Sequence, residues 1–61
     1  MRIGIGTLVT DTDIDRDLGI VVGHHTDIYD GTLYNKVKWL SGRFVGYTDH
    51  IETECLEVLC E

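Results

Sequence analysis

The strongest constraint on the fold is a strict alternation of polar and apolar residues just before the single serine of the chain. Lys36 and Lys38 alternate with Val37 and Trp39, which is typical of a strand with one face in water and the other on the core. Ser41-Gly42 follows with the length and glycine content of a tight hairpin turn. The sequence therefore predicts a hairpin here, with Val37 and Trp39 facing inward.

Other strand-like runs cover most of the remaining chain, and glycine and aspartate mark the turns because proline is absent. The predicted strands are about 6–10, 18–25, 35–40, 43–48 and 56–59. Ile20 and Val22 are predicted to face the core together, since alternate residues of a strand share a face. The lead-in Ile3-Gly4-Ile5 is predicted to pair along an edge, and Asp49–Glu54 is predicted to form a single helical turn. No long helix fits.

The length of 61 residues leaves room for one domain, residues 1–61, with one small core. A large enclosed active site is not expected in such a chain. Small domains often need a disulfide, a metal or a partner subunit to supplement their core. We therefore expect a homo-oligomer.

Eleven acidic and five basic residues give a formal net charge of -6. This excess disfavours nucleic acid, because it repels phosphate backbones at long range. A protein partner, possibly a basic one, fits better. The longest apolar run is Ile20-Val21-Val22, far too short for a helical membrane crossing or a signal peptide, so a cytoplasmic location is predicted.

Several short motifs carry a resemblance to a known family. They are Gly6-Thr7-Leu8-Val9, Gly19-Ile20-Val21-Val22, Val37-Lys38-Trp39-Leu40-Ser41-Gly42, Gly46-Tyr47 and Leu56-Glu57-Val58-Leu59. With them the chain resembles the small stand-alone SH3-like barrel proteins of bacteria and tailed phages, whose function is usually unassigned. The resemblance implies an all-β, five-stranded SH3-like barrel with a short helical turn before the last strand. The motifs of proline-peptide-binding SH3 domains are missing, so that activity is not expected.

Alternating aspartates at Asp11, Asp13, Asp15 and Asp17 look at first like a calcium loop. Position six of such a loop needs glycine for its sharp turn, but Arg16 stands there. We therefore predict a solvated acidic loop, with Asp13, Asp15 and Asp17 available to a basic partner. A weak divalent-cation site is the alternative; no metal and no cofactor is predicted.

Adjacent residues of a strand point to opposite faces, so His24 and His25 are predicted to diverge, and one of them to meet His50 across the sheet. The three histidines are read as structural or surface residues, with stability or association sensitive to pH between about 5 and 7. Cys55 and Cys60 are read as reduced packing residues. No nucleophile with an activating base is visible, so no enzyme activity is predicted.

The predicted role is a small non-catalytic protein-binding or assembly module. Trp39 and Phe44 are predicted to pack in or near the core. The tyrosines are left at the margins, where they are candidates for an aromatic contact with a partner: Tyr29, Tyr34 and Tyr47. Self-association is predicted at an exposed strand edge or at Ile3 and Ile5. A docking subunit of a larger enzyme complex and a nucleic-acid-binding barrel of the KOW type are the alternatives, the latter requiring Arg2, Lys36, Lys38 and Arg43 to cluster.

Overall fold

The computed structural model describes residues 2–12 and 16–60 and shows five antiparallel strands in one sheet. The strands are β1 (Leu8–Asp11), β2 (Leu18–Thr26), β3 (Leu33–Trp39), β4 (Thr48–Ile51) and β5 (Leu56–Cys60). The sheet order is β4-β3-β2-β1-β5. A 3-10 turn over Thr53–Cys55 directly precedes β5. The all-β prediction and the short helical turn before the last strand are confirmed.

Two edges remain in this sheet. β4 pairs only with β3, and β5 pairs only with β1, within the residues that the structure describes. No ladder of hydrogen bonds joins β4 to β5 there. The fold is therefore a single five-stranded antiparallel sheet. The lead-in Ile3-Gly4-Ile5 forms no strand, contrary to the prediction of edge pairing.

The segment between β3 and β4 differs from the predicted tight turn. The Trp39 N–H donates to the Tyr47 carbonyl and the Gly46 N–H donates to the Trp39 carbonyl, each at 2.9 Å, so residues 40–46 form a longer loop. Gly42 and Gly46 have φ of 84° and 90°, a region that glycine adopts at no steric cost. The predicted fourth strand over residues 43–48 is wrong, because β4 begins at Thr48 and runs into the first half of the predicted helical turn.

The core lies on one face of the sheet. Its buried apolar residues are Val9, Val21, Val37, Trp39 and Leu56, with Ile3 and Ile51 packed against them. The inward orientation of Val37 and Trp39 is confirmed. The prediction for β2 is wrong, because Val21 is 1% exposed and Val22 is 45% exposed. The reason is the partner strand: Val21 pairs with Val37, so both side chains stand on the same face.

A β-bulge reverses the facing of β2 halfway along its length. The register with β3 shifts between Val21 and Gly23. Beyond this bulge His24 pairs with Asn35 on the inner face, and His25 pairs with Tyr34 on the outer face. The bulge therefore aims the second half of β2 so that one histidine turns inward and the next turns outward.

Candidate functional site

The three tyrosines of the predicted partner patch lie apart. Tyr29 is 93% exposed in the loop between β2 and β3, Tyr47 is exposed in the loop before β4, and Tyr34 is half-buried on β3. Among the described residues no ring contact joins one of these tyrosines to another. Trp39 is buried as predicted, but Phe44 is 51% exposed, so its predicted core position is wrong. The structure thus offers separate aromatic side chains and not one patch.

The acidic loop has one candidate residue that the structure describes. Asp17 is half-buried, and its carboxylate lies directly against Gly42, where any Cβ would collide with it. Its carbonyl accepts the Thr10 hydroxyl at 3.0 Å and the Asp11 N–H at 3.2 Å. Asp17 therefore holds the loop between β1 and β2 against the loop between β3 and β4. The predicted partner contacts at Asp13 and Asp15 lie outside the described residues.

Ile3 and Ile5, predicted for self-association, have different surroundings. Ile5 is exposed, whereas Ile3 packs against the core. The Ile3 N–H donates to Asn35 Oδ1 at 2.7 Å, and the Ile3 carbonyl lies 2.6 Å from His24 Nε2. Of the two isoleucines, only Ile5 presents an exposed apolar side chain.

Asn35 is a structural residue that the sequence did not reveal. It is fully buried in the middle of β3, and its Nδ2 donates to the Ile51 carbonyl at 3.2 Å and to the Thr53 hydroxyl at 3.0 Å. Together with the bond from Ile3, this satisfies both ends of the amide. Asn35 thus connects the N-terminal segment, the end of β4 and the 3-10 turn. The alternation with Val37 and Trp39 places Asn35 on the inner face, but the sequence gives no sign of its three hydrogen-bond partners.

Four side chains gather on the outer face of β2, β3 and β4, and we call them the outer cluster: His25, Tyr34, Lys36 and His50. The imidazoles of His25 and His50 stack with ring centroids 4.6 Å apart and planes at 13°. The Tyr34 ring lies 6.2 Å from each imidazole. The prediction that His24 and His25 face opposite ways, with one of them meeting His50, is confirmed.

The edge strand β5 exposes two apolar side chains, Val58 and Leu59, next to the exposed Glu57. The register with β1 shifts here, because Val58 pairs with Val9 and Cys60 pairs with Leu8, so Leu59 is an extra residue in the pairing. Cys55 and Cys60 are also exposed, so their interpretation as packing residues is wrong. They form no disulfide within the described chain. Glu57 forms an exposed ion pair with Arg16 that links β5 to the start of β2.

The carboxyl group of Asp30 has a pKa below its ordinary value. Asp30 Oδ1 accepts the Thr32 N–H at 2.9 Å, and this bond, with a second from the Thr32 side chain, lowers the pKa of Asp30. Asp27 Oδ1 accepts the Tyr29 N–H at 2.7 Å in the same loop. These two aspartates fix the turn between β2 and β3.

In the described part of the chain, no set of three or more histidine, cysteine, aspartate or glutamate side chains is placed to hold a metal ion. The described residues, 2–12 and 16–60, enclose no pocket. None of the helical structure described is long and apolar enough to span a bilayer. No family model matches the chain, and no curated protein and no solved structure is significantly similar to it.

Proposed function

We propose that this chain is a small non-catalytic binding or assembly module with the architecture of an SH3-like barrel, and that it associates with a second copy of itself through β5. The five antiparallel strands and the 3-10 turn directly before β5 support the barrel, since the resemblance implies both.

The observation that carries the proposal is the apolar edge at β5. Within the described chain β5 pairs with β1 on one side only, and its exposed residues include Val58 and Leu59. An edge strand with exposed apolar side chains is a template for pairing with another chain. β4 differs, because Thr48, Asp49 and His50 give the other edge a polar character that disfavours such pairing.

The size of the core supports the same conclusion. Five buried apolar side chains form it among residues 2–12 and 16–60, and a core of this scale supplies only about 3–5 kcal/mol. Antiparallel pairing of β5 with its copy would be isologous, so the same residues contribute from both subunits. Such pairing covers Val58 and Leu59 and removes the β5 edge of both subunits at once.

Sedimentation velocity at concentrations from micromolar to submillimolar tests the proposal. We expect the wild-type chain to dimerise with rising concentration and Leu59→Lys to remain monomeric, because a lysine on an edge strand opposes pairing. Ile28→Lys is the matched control, since Ile28 is an exposed isoleucine in the loop between β2 and β3. This variant should dimerise like the wild type.

A wild-type chain that stays monomeric at every concentration would refute self-association. A dimer that survives Leu59→Lys but is lost in Ile5→Lys would move the interface from β5 to the N-terminal isoleucine. Circular dichroism of each variant shows whether the sheet is intact.

A further inference from the structure

The charge of this chain is distributed unevenly over the sheet. The chain has eleven acidic residues, yet β2 and β3 contain none and β4 contains only Asp49. Asp49 pairs with Val37 in the register, and its Oδ2 accepts the Trp39 indole N–H at 2.8 Å. The only carboxylate in these three strands is thus turned to the inner face. Their outer face carries Lys36, Lys38 and two imidazoles, and none of these strands contributes a carboxylate to it.

Three strands each contribute a nitrogen-bearing side chain to the outer cluster. His25 stands on β2, Lys36 on β3 and His50 on β4, where it is the register partner of Lys36. The alkyl stem of Lys36 passes close to Gly23, two residues before His25 on the same face. None of the three forms an ion pair with another described residue. Their N–H groups are therefore available to an outside acceptor.

The two imidazoles are close enough to contact one ligand, because their ring centroids lie 4.6 Å apart. Among the described residues, no set of three or more histidine, cysteine, aspartate or glutamate side chains is placed to hold a metal ion. An acceptor with several oxygens, such as a phosphate, can receive a separate hydrogen bond from each donor of the cluster.

We propose that the outer cluster is a binding site for a phosphate-type oxyanion, held by His25, His50 and the Lys36 ammonium with the Tyr34 hydroxyl beside them. No pocket encloses the outer cluster within the described chain, so the site accepts either a free phosphate ion or the phosphate group of a monoester. This site lies on a different surface from β5, and its existence does not depend on self-association.

Binding at this site is coupled to protons. An imidazole in water takes up its second ring proton near pH 6.5. Two imidazolium ions at stacking distance, with Lys36 beside them, repel each other, and a bound oxyanion relieves that repulsion. By linkage, the oxyanion must bind more tightly as the histidines protonate, and it must favour their protonation by the same factor.

Nuclear magnetic resonance of the imidazole side chains tests the site in the intact chain. Inorganic phosphate and phosphoserine serve as separate probes, so that a free ion and a monoester are distinguished. Sulfate is a third probe, because it keeps its charge between about pH 6 and pH 7.5 and any pH dependence then belongs to the protein. We expect saturable shifts at His25 and His50, much smaller shifts at His24, and sulfate binding at least about threefold tighter at the lower pH.

Variants locate the site. Lys36→Gln and His50→Gln should each weaken sulfate binding at least about threefold. Arg43→Gln, which removes a cation from the loop between β3 and β4, should leave it unchanged. Shifts that do not saturate with any probe, or an equal loss in Arg43→Gln and Lys36→Gln, would overturn the proposal. His50→Gln keeps the test decisive if Lys36→Gln fails to fold.

Discussion

The central strands β2 and β3 and the edge strand β5 use their apolar side chains in opposite ways. Val21 and Val37 stand opposite each other and are essentially inaccessible to water. Val58 and Leu59 on β5 are both exposed. The same residue types therefore stabilise the sheet at its centre and remain available for contact at its edge.

Polar groups follow the same division. Asn35 is buried in β3 with partners on both ends of its amide, whereas the ion pair of Arg16 and Glu57 beside β5 is about half exposed on both side chains. Exposed ion pairs contribute little to stability, while a buried polar group that loses its partner costs much. Substitutions at the centre should therefore change the free energy of unfolding, and substitutions at the edge should change association.

The largest expected effect is at Asn35. Replacement by leucine removes the acceptor of the Ile3 N–H and the donor to the Ile51 carbonyl. With about 1–3 kcal/mol for each group left unsatisfied, we expect Asn35→Leu to lower the free energy of unfolding by about 2–4 kcal/mol. Urea denaturation followed by circular dichroism measures this loss.

Lys38→Leu is the control for Asn35→Leu, because Lys38 is exposed on the outer face of the same strand. It should stay within about 0.5 kcal/mol of the wild type. If both leucine variants unfold at the wild-type urea concentration, the contrast between the buried and the exposed face of β3 is wrong.

A smaller loss of stability is expected from alanine substitutions at the glycines of β2. They compare the inner face of the sheet, at Gly19, with the outer face, at Gly23. A Cβ at Gly19 would lie 2.5 Å from Val37 Cγ1 and 3.0 Å from the Trp39 ring, so the packed core must shift. Such overpacking costs about 1–3 kcal/mol, and we expect Gly19→Ala to lose that much stability. The urea midpoint again provides the measurement.

Gly23→Ala in the same strand is the matched comparison. There the new Cβ would meet only the flexible Lys36 stem, at 3.4 Å. We expect Gly23→Ala to be near neutral. If the two alanine substitutions destabilise the protein equally, the cost comes from the backbone conformation of β2, and not from a clash of the new Cβ at residue 19 with the core.

The sequence predicted those parts of the fold where a local pattern has one interpretation. The alternation around Val37 and Trp39 gave their facing correctly, and β5 was placed correctly from residue 56. The facing of β2 was predicted wrongly because a run such as Ile20-Val21-Val22 is apolar on both sides. The pairing with β3 decides between the faces, because it sets Gly19 opposite Trp39 and Val21 opposite Val37, and these partners are far apart in the sequence.

The outer cluster shows the same limit. Period-two reasoning placed His24 and His25 on opposite faces, but the β-bulge that decides which of them meets His50 depends on pairing with β3. The length of the loop after Trp39 was missed for a similar reason. Ser41-Gly42 is compatible with a two-residue turn, while the bonds that close the loop involve Gly46 and Tyr47.

The smallest expected effect concerns Asp30, at the periphery of the molecule. The bonds from Thr32 favour the ionised carboxylate, so the folded-state pKa lies below the ordinary value of 3.8. A group with a lowered folded pKa contributes stability that is fully present above the unfolded-state value and is lost as the pH falls through the folded value. The stabilising contribution of Asp30 should therefore disappear in acid.

Two measurements check Asp30, and both compare this exposed turn with the buried bonds of Asn35. The carboxyl resonance of Asp30 should titrate with a midpoint below 3.8. The urea midpoint of Asp30→Ala should differ from that of the wild type near neutral pH. This difference should vanish as the pH falls below the titration midpoint of Asp30. The loss in Asn35→Leu should persist there, because an amide does not titrate. A difference for Asp30→Ala that is unchanged at every pH would mean that the turn is held by its backbone alone.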